Sequence, residues 1–262
     1  MKNFRRLPLE GLENARDLGG YATSDGGVTK YHVFIRSEVP ENMTPEDIAY
    51  IKELGIIRSV DLRSNGEIDR EPSDLEKVEG IEYIRMPMFD ESAAAGSASQ
   101  RENRSSESQG PGDLSKMPGW DVMYIGMIEN HKAWTVQLMD TLNVKKGAVH
   151  YNCFTGKDRT GLCTAMLLSI AGVSEEDICA DYSLSMAYLN RRYANVAKMF
   201  PTPLDEHGRP NLNSGFFATL PSYMRNTLDY VDEHYGGMVG YLKAGGVKDE
   251  VIAAIKEKLV EY

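Results

Sequence analysis

The sequence predicts an α/β fold in which a mostly parallel central sheet is covered by helices on both faces. Two observations carry this expectation: short apolar or alternating runs of strand length, and longer stretches between them with helical periodicity and capping signals. Length is compatible with it, since 262 residues can bury a full core in one α/β domain as readily as in two small ones, and the interleaved elements lead us to expect one continuous domain over residues 1–262.

The first strand is placed at residues 30–36, KYHVFIR, where Tyr31, Val33 and Ile35 alternate with His32, Phe34 and Arg36. A helix follows, opened by Thr44 as cap with Pro45 and Asp47 behind it, and stopped at Gly55. The apolar runs IIRSVDL at 56–62 and IEYIRM at 81–86 read as interior strands separated by a charged, turn-rich stretch. Residues 91–119 are small, polar and without periodicity, so a mobile surface insertion is expected there. Residues 121–142 carry Val122, Ile125, Ile128, Val136 and Met139 at helical spacing and lead into a strand, AVHYN, at 148–152. A helix at 160–171 ends near Gly172, and Ser174 with Asp177 caps another that runs to about Leu189. After a Pro- and Gly-containing linker at 201–214, helices at 223–242 and 249–259 form a helical C-terminal region.

Composition narrows the function classes. A formal net charge of -10 repels polyanions, which speaks against a nucleic-acid or anionic-membrane partner. There is no apolar run of about 18 residues and no apolar leader segment, so no membrane span is expected; the default compartment is cytoplasmic, with export after leader removal the alternative. Cys153, Cys163 and Cys179 are too few and odd in number for a disulfide framework and leave room for a reactive thiol. His32, His131, His150, His207 and His234 show no zinc-ligand spacing, so the chemistry is read as free of metal and cofactor, in a monomer.

That chemistry centres on residues 152–161, NCFTGKDRTG, where strand passes to helix. Cys153 and Arg159 stand six positions apart, a weak signal alone. Its context strengthens it: Gly156 permits backbone angles that let the amides of Phe154, Thr155, Gly156, Lys157 and Asp158 converge on one anion, and a helix N-terminus points inward. Phosphoryl transfer to Cys153 requires a thiolate, which the helix end, Lys157 and Arg159 favour electrostatically, while Thr160 can donate its hydroxyl to the sulfur. Arg159 suits bidentate contact with two phosphate oxygens. Cys163 and Cys179 sit in apolar helices and read as core residues.

The loop NCFTGKDRTG resembles the HCxAGKDRTG loop of the bacterial tyrosine-phosphatase family related to secreted mycobacterial and listerial lipid and tyrosine phosphatases. NARDLGGY at 14–21 is similar to that family's NFRDLGGY, Arg36-Ser37 to its RS, DLRS at 61–64 to its DLR element, and YGGMVGYLKAGGV at 235–247 to its closing helices. The resemblance implies a cysteine-phosphatase fold, Cys153 as nucleophile, Arg159 as phosphate clamp, and dual protein and phosphoinositide activity. Lys157 and Asp158 are the loop residues that set the family apart. One departure is Asn152, which occupies the position of the family histidine, with His150 on the same side of the strand two residues earlier. Asn152 can hydrogen-bond the loop backbone but cannot carry charge.

Protonation of the leaving group requires a carboxylic acid, and Asp158 inside the loop competes with Asp90 ahead of the insertion; Asp121 is a weaker third. Asp61 and Arg63 leave the end of an apolar strand, where they either touch substrate or brace the loop. Arg16 and Asp17 are read as a structural ion pair near a turn. The expected partner is a phosphorylated protein or a phosphoinositide, with the added charge of Lys157 suiting a multiply phosphorylated ring. A phosphate-binding pseudophosphatase without turnover is the alternative.

Overall fold

The computed structural model describes residues 2–89, 119–189, 193, 204–208, 211 and 215–262. The expected mobile insertion at 91–119 falls almost wholly outside them, as does most of the linker at 201–214. In chain order the strands are β1 (Arg16–Asp17), β2 (Val28–Thr29), β3 (Phe34–Ser37), β4 (Ile56–Asp61), β5 (Glu82–Arg85), β6 (Ala148–Asn152) and β7 (Val260–Glu261). The helices are α1 (Pro45–Glu53), α2 (Asn65–Arg70), α3 (Trp120–Asn130), α4 (Lys132–Leu142), α5 (Asp158–Ala171), α6 (Glu175–Tyr188), α7 (Pro221–Tyr235), α8 (Met238–Gly245) and α9 (Asp249–Leu259).

The central sheet has the order β1-β3-β6-β4-β5. Its β3–β6, β6–β4 and β4–β5 pairs are parallel, and only β1 runs antiparallel at the edge. The predicted α/β class is therefore the one found. On one face Phe34, Val60, Val149 and Tyr151 pack against Leu162, Met166 and Leu167 of α5 and the helices around it; on the other, Ile35, Ile56 and Ala148 meet Ile51 and Leu54 of the α1 segment with Leu7, Leu9 and Leu12. With both faces of the sheet covered, all five residues of β6 are buried, the polar His150 and Asn152 among them. The parallel pairing puts the C-terminal ends of β3, β4 and β6 side by side, with Ser37 and Asp61 both in register with Asn152.

Several boundaries differ from the sequence reading. The strand foreseen at 30–36 begins only at Phe34, because His32 turns the chain at φ 61 while donating its backbone N–H to Asp17. The helix foreseen at 121–142 is two helices, broken at His131, whose φ of -125 leaves the helical range. That foreseen at 223–242 is likewise two, separated by Gly236 and Gly237 at φ 70 and 103. The charged stretch after Leu62 contains α2, opened by a reciprocal cap in which Ser64 and Glu67 each bond the other's backbone N–H.

Candidate active site

Strand β6 ends at Asn152 and α5 begins at Asp158, so residues 153–157 form a tight loop at the N-terminus of a buried helix. Gly156 sits at φ 67, and a Cβ there would lie 2.3 Å from the carbonyl oxygen of Ser37. No other residue allows the loop to come so close to β3. From behind, the Asn14 amide donates to the carbonyls of Thr155 and Gly156 at 2.9 and 3.2 Å, and Arg36 donates to that of Gly156 at 2.7 Å.

Arg36 is itself fixed by Asp181 of α6, which also takes Arg16 at 2.9 Å and the Tyr21 hydroxyl at 3.1 Å. All three charged side chains are fully buried. Burial would raise the Asp181 carboxyl, but Arg16 and Arg36 hold it down at about 2. Arg16 thus pairs with Asp181 and not with Asp17 as expected from adjacency. The Asp17 carboxylate instead accepts the backbone N–H groups of Gly19 and His32, and burial pushes it up to about 6 against those bonds.

Asp61 and Arg63 pair with each other, buried, at 2.7 Å, and Tyr83 donates a further bond to Asp61. The neighbouring Leu62 N–H donates to the carbonyl of Asn152 at 2.8 Å, so this pair braces the base of the loop and does not line the cavity above it. Arg159 is gripped by Glu67 of α2 in a two-pronged ion pair at 2.7 and 2.9 Å. Burial works against the charge on both partners, but the pairing wins: the Glu67 carboxyl falls to about 2 and the Arg159 guanidinium is held charged, with the nearby Cys153 adding to that hold.

Above the loop lies a cavity of about 310 Å³. Its polar side is Thr155, Asp158, Arg159 and Glu67; its walls are Phe89, Trp120, Met123, Met127 and Phe154. Cys153, 1% exposed, immediately precedes Phe154 and Thr155 of this lining. Asp158 accepts a hydrogen bond from Tyr124 at 2.5 Å, and Tyr124 in turn meets the hydroxyl of Tyr182 at 2.7 Å. Lys157 is turned inward: its ammonium lies 4.2 Å from the centre of the Trp120 ring, 3.2 Å from the carbonyl of Ala218 and 3.4 Å from Asp158.

A loop of this form, between parallel strand and helix, carries one cysteine, one arginine and one aspartate against an aromatic-walled cavity, and the profile of the tyrosine phosphatase family matches residues 7–261. The chain belongs to this family. The triple specificity protein phosphatase PtpB of Mycobacterium tuberculosis is 25% identical over 280 residues, covering 98% of this chain and 99% of that one. A tyrosine-protein phosphatase of Nostoc commune is 24% identical over 237 residues, covering 86% of this chain and 74% of the relative. The crystal structure of P. aeruginosa TpbA aligns over 86% of this chain and 96% of that one at 12% identity, with a TM-score of 0.34.

In this phosphatase the remaining predicted site residues are distributed unevenly. Asn152 is buried, with its amide 3.4 Å from the Cys153 carbonyl and its own carbonyl oxygen unpaired among the described residues. The Thr160 hydroxyl is buried with no hydrogen-bond partner among the described residues, so the expected bond to the cysteine sulfur is not made; Thr160 lies already within the first turn of α5, which starts two residues earlier than foreseen. His150 is clamped between the hydroxyls of Ser37 and Ser59, 2.8 Å each, and burial pushes its imidazole down to about 4. It is neutral and supplies no charge to the loop. Asp90 lies outside the described residues. Asp121 does not cap α3, which Gly119 opens, but accepts from Asn226 at 2.8 Å. Glu67, Tyr124 and Asp181 were not singled out from sequence. Only Glu67 left a signal, the Ser-x-x-Glu capping pattern at 64–67.

Proposed function

We propose that this phosphatase hydrolyses phosphomonoesters through a phosphocysteine at Cys153, with aryl phosphates, phosphotyrosine above all, as substrates. The observation that carries the reading is the joint lining of one cavity by Arg159, Asp158 and five large apolar side chains directly above the Cys153 loop. Aromatic and thioether walls suit the ring of a phosphotyrosine, and the loop amides and Arg159 suit its phosphate.

In the first step the Cys153 thiolate attacks phosphorus; the S–P bond forms, the P–O bond to the phenol breaks, and the leaving oxygen takes a proton from Asp158. In the second, water attacks phosphorus, its proton passes to the Asp158 carboxylate, and the S–P bond breaks to return the thiolate and release inorganic phosphate. Asp158 lines the cavity, which supports reading it in both roles.

A multiply phosphorylated inositol ring would require cations beyond Arg159. Lys157, the residue that suggested such a substrate, has its ammonium buried against Trp120 and Ala218. Protein phosphotyrosine is therefore the favoured class over phosphoinositide. Phosphate release from an aryl phosphate tests the reading: Cys153→Ser should lose at least about a thousand-fold in kcat. Unchanged turnover in that variant would remove the phosphocysteine mechanism, and no turnover in the parent chain would leave the pseudophosphatase reading in its place. A peptide phosphotyrosine should exceed an inositol polyphosphate in kcat/KM by at least about tenfold, and the reverse order would overturn the substrate assignment.

A further inference from the structure

We infer that Tyr124 is a positioning residue that decides which oxygen of Asp158 delivers the proton, an inference that rests on the reading of Asp158 as the proton donor. Tyr124 stands on α3, Asp158 at the head of α5 and Tyr182 on α6, so a single chain of hydrogen bonds ties three helices to one carboxyl. The Tyr124 hydroxyl donates to Oδ1 of Asp158, and the Lys157 ammonium lies 3.4 Å from the same oxygen. With its single proton committed to Asp158, Tyr124 accepts from Tyr182.

Two donors converging on Oδ1 make that atom an acceptor in either protonation state. The exchangeable proton is thereby confined to Oδ2, which has no hydrogen-bond partner among the described residues. An unconstrained carboxyl would divide its proton between two oxygens and its orientation among several rotamers. Here the side chain on the cavity edge is pinned by one oxygen and offers the other. Tyr124 is fully buried, and its burial together with the Asp158 charge keeps the phenol protonated, so the donor is permanent. It lines no part of the cavity itself, so its influence on the reaction passes through Asp158.

The test compares two substrates in the full chain: phenyl phosphate, whose leaving group needs a proton, and 4-nitrophenyl phosphate, whose leaving group barely does. Tyr124→Phe keeps the ring that packs on Trp120 and Tyr182. It should lower kcat/KM, which reports the first transfer, about tenfold on phenyl phosphate and less than about twofold on 4-nitrophenyl phosphate. In an Asp158→Asn background the same substitution should change neither rate further. Tyr182→Phe, one link further out, should give the same substrate-selective loss at about threefold, and it carries the test if Tyr124→Phe folds poorly. Equal losses on both substrates, or a loss that persists beside Asp158→Asn, would overturn the role of Tyr124. If Asp158→Asn alone spares both substrates, the proton-donor reading fails first, and Tyr124 falls with it.

Discussion

At the scale of single residues, the loop is defined as much by what holds it as by what reacts. Gly156 is fixed by contact with β3, where a side chain would meet the Ser37 carbonyl and the Glu38 amide. Gly156→Ala should therefore cost about 3 kcal/mol of stability and abolish measurable phosphate release, read by thermal melting and by turnover; a variant with parental activity would show that the loop tolerates another path. Arg159 presents a different case, because both of its terminal nitrogens are already occupied by Glu67. Its guanidinium is thus oriented before any phosphate arrives. Glu67→Gln keeps the size of the side chain but loses the charge pairing, and kcat should fall about tenfold with KM for an aryl phosphate rising. Unaltered steady-state constants would mean that Glu67 serves only the cap of α2. Cys153, Arg159 and Asp158 could be nominated from sequence because their residue types and spacing fall within ten residues. Glu67, 92 positions away from Arg159, could not, since an ion pair across that separation exists only once α2 packs beside α5.

At the scale of elements, the strands were legible where apolar runs are long and the helices where caps are strong. The strand at 148–152 and the helix foreseen from the Ser174 cap were found where expected, since burial on both faces and a Ser-x-x-Asp cap each leave a mark in sequence. The breaks at His131 and at Gly236-Gly237 were not foreseen, because apolar spacing continues across both and only the local dihedral angles interrupt the helix. Least legible of all was the ring of buried polar groups behind the loop. Asn14, Arg16, Arg36 and Asp181 come from three separate elements or their flanks and meet only through the tertiary fold. Adjacency suggested Arg16 with Asp17, yet neighbouring strand residues point to opposite faces. Asp181→Asn would leave two arginines buried without a counter-charge. It should destabilise the chain by about 3 to 5 kcal/mol. Denaturant melts read this directly, and a loss below about 1 kcal/mol would show that the arginines find another partner.

At the scale of the whole molecule, two buried groups set opposing pH dependences. Asp17 rises from an ordinary 3.8 to about 6, so between those values the folded chain keeps a proton that the unfolded chain has released, and stability falls as pH rises through that window. His150 falls from 6.5 to about 4, so there the unfolded chain binds a proton that the folded one refuses, and stability rises with pH. Each contributes on the order of 3 kcal/mol and the signs oppose, so these two groups together leave a nearly flat stability between pH 4 and 6. Asp17→Asn should expose the histidine slope, losing stability on acidification from pH 6.5 to 4, and His150→Gln should expose the opposite one. Parallel curves for parent and both variants would contradict this assignment. The proposed reaction turns on the S–P bond formed at Cys153. Rapid quenching of the full chain during turnover of an aryl phosphate, followed by peptide mass spectrometry, should find phosphate on Cys153, accumulating further when Asp158→Asn slows its hydrolysis, and none in Cys153→Ser. Phosphate on any other side chain, or turnover that continues at the parental rate without the Cys153 thiol, would contradict the account.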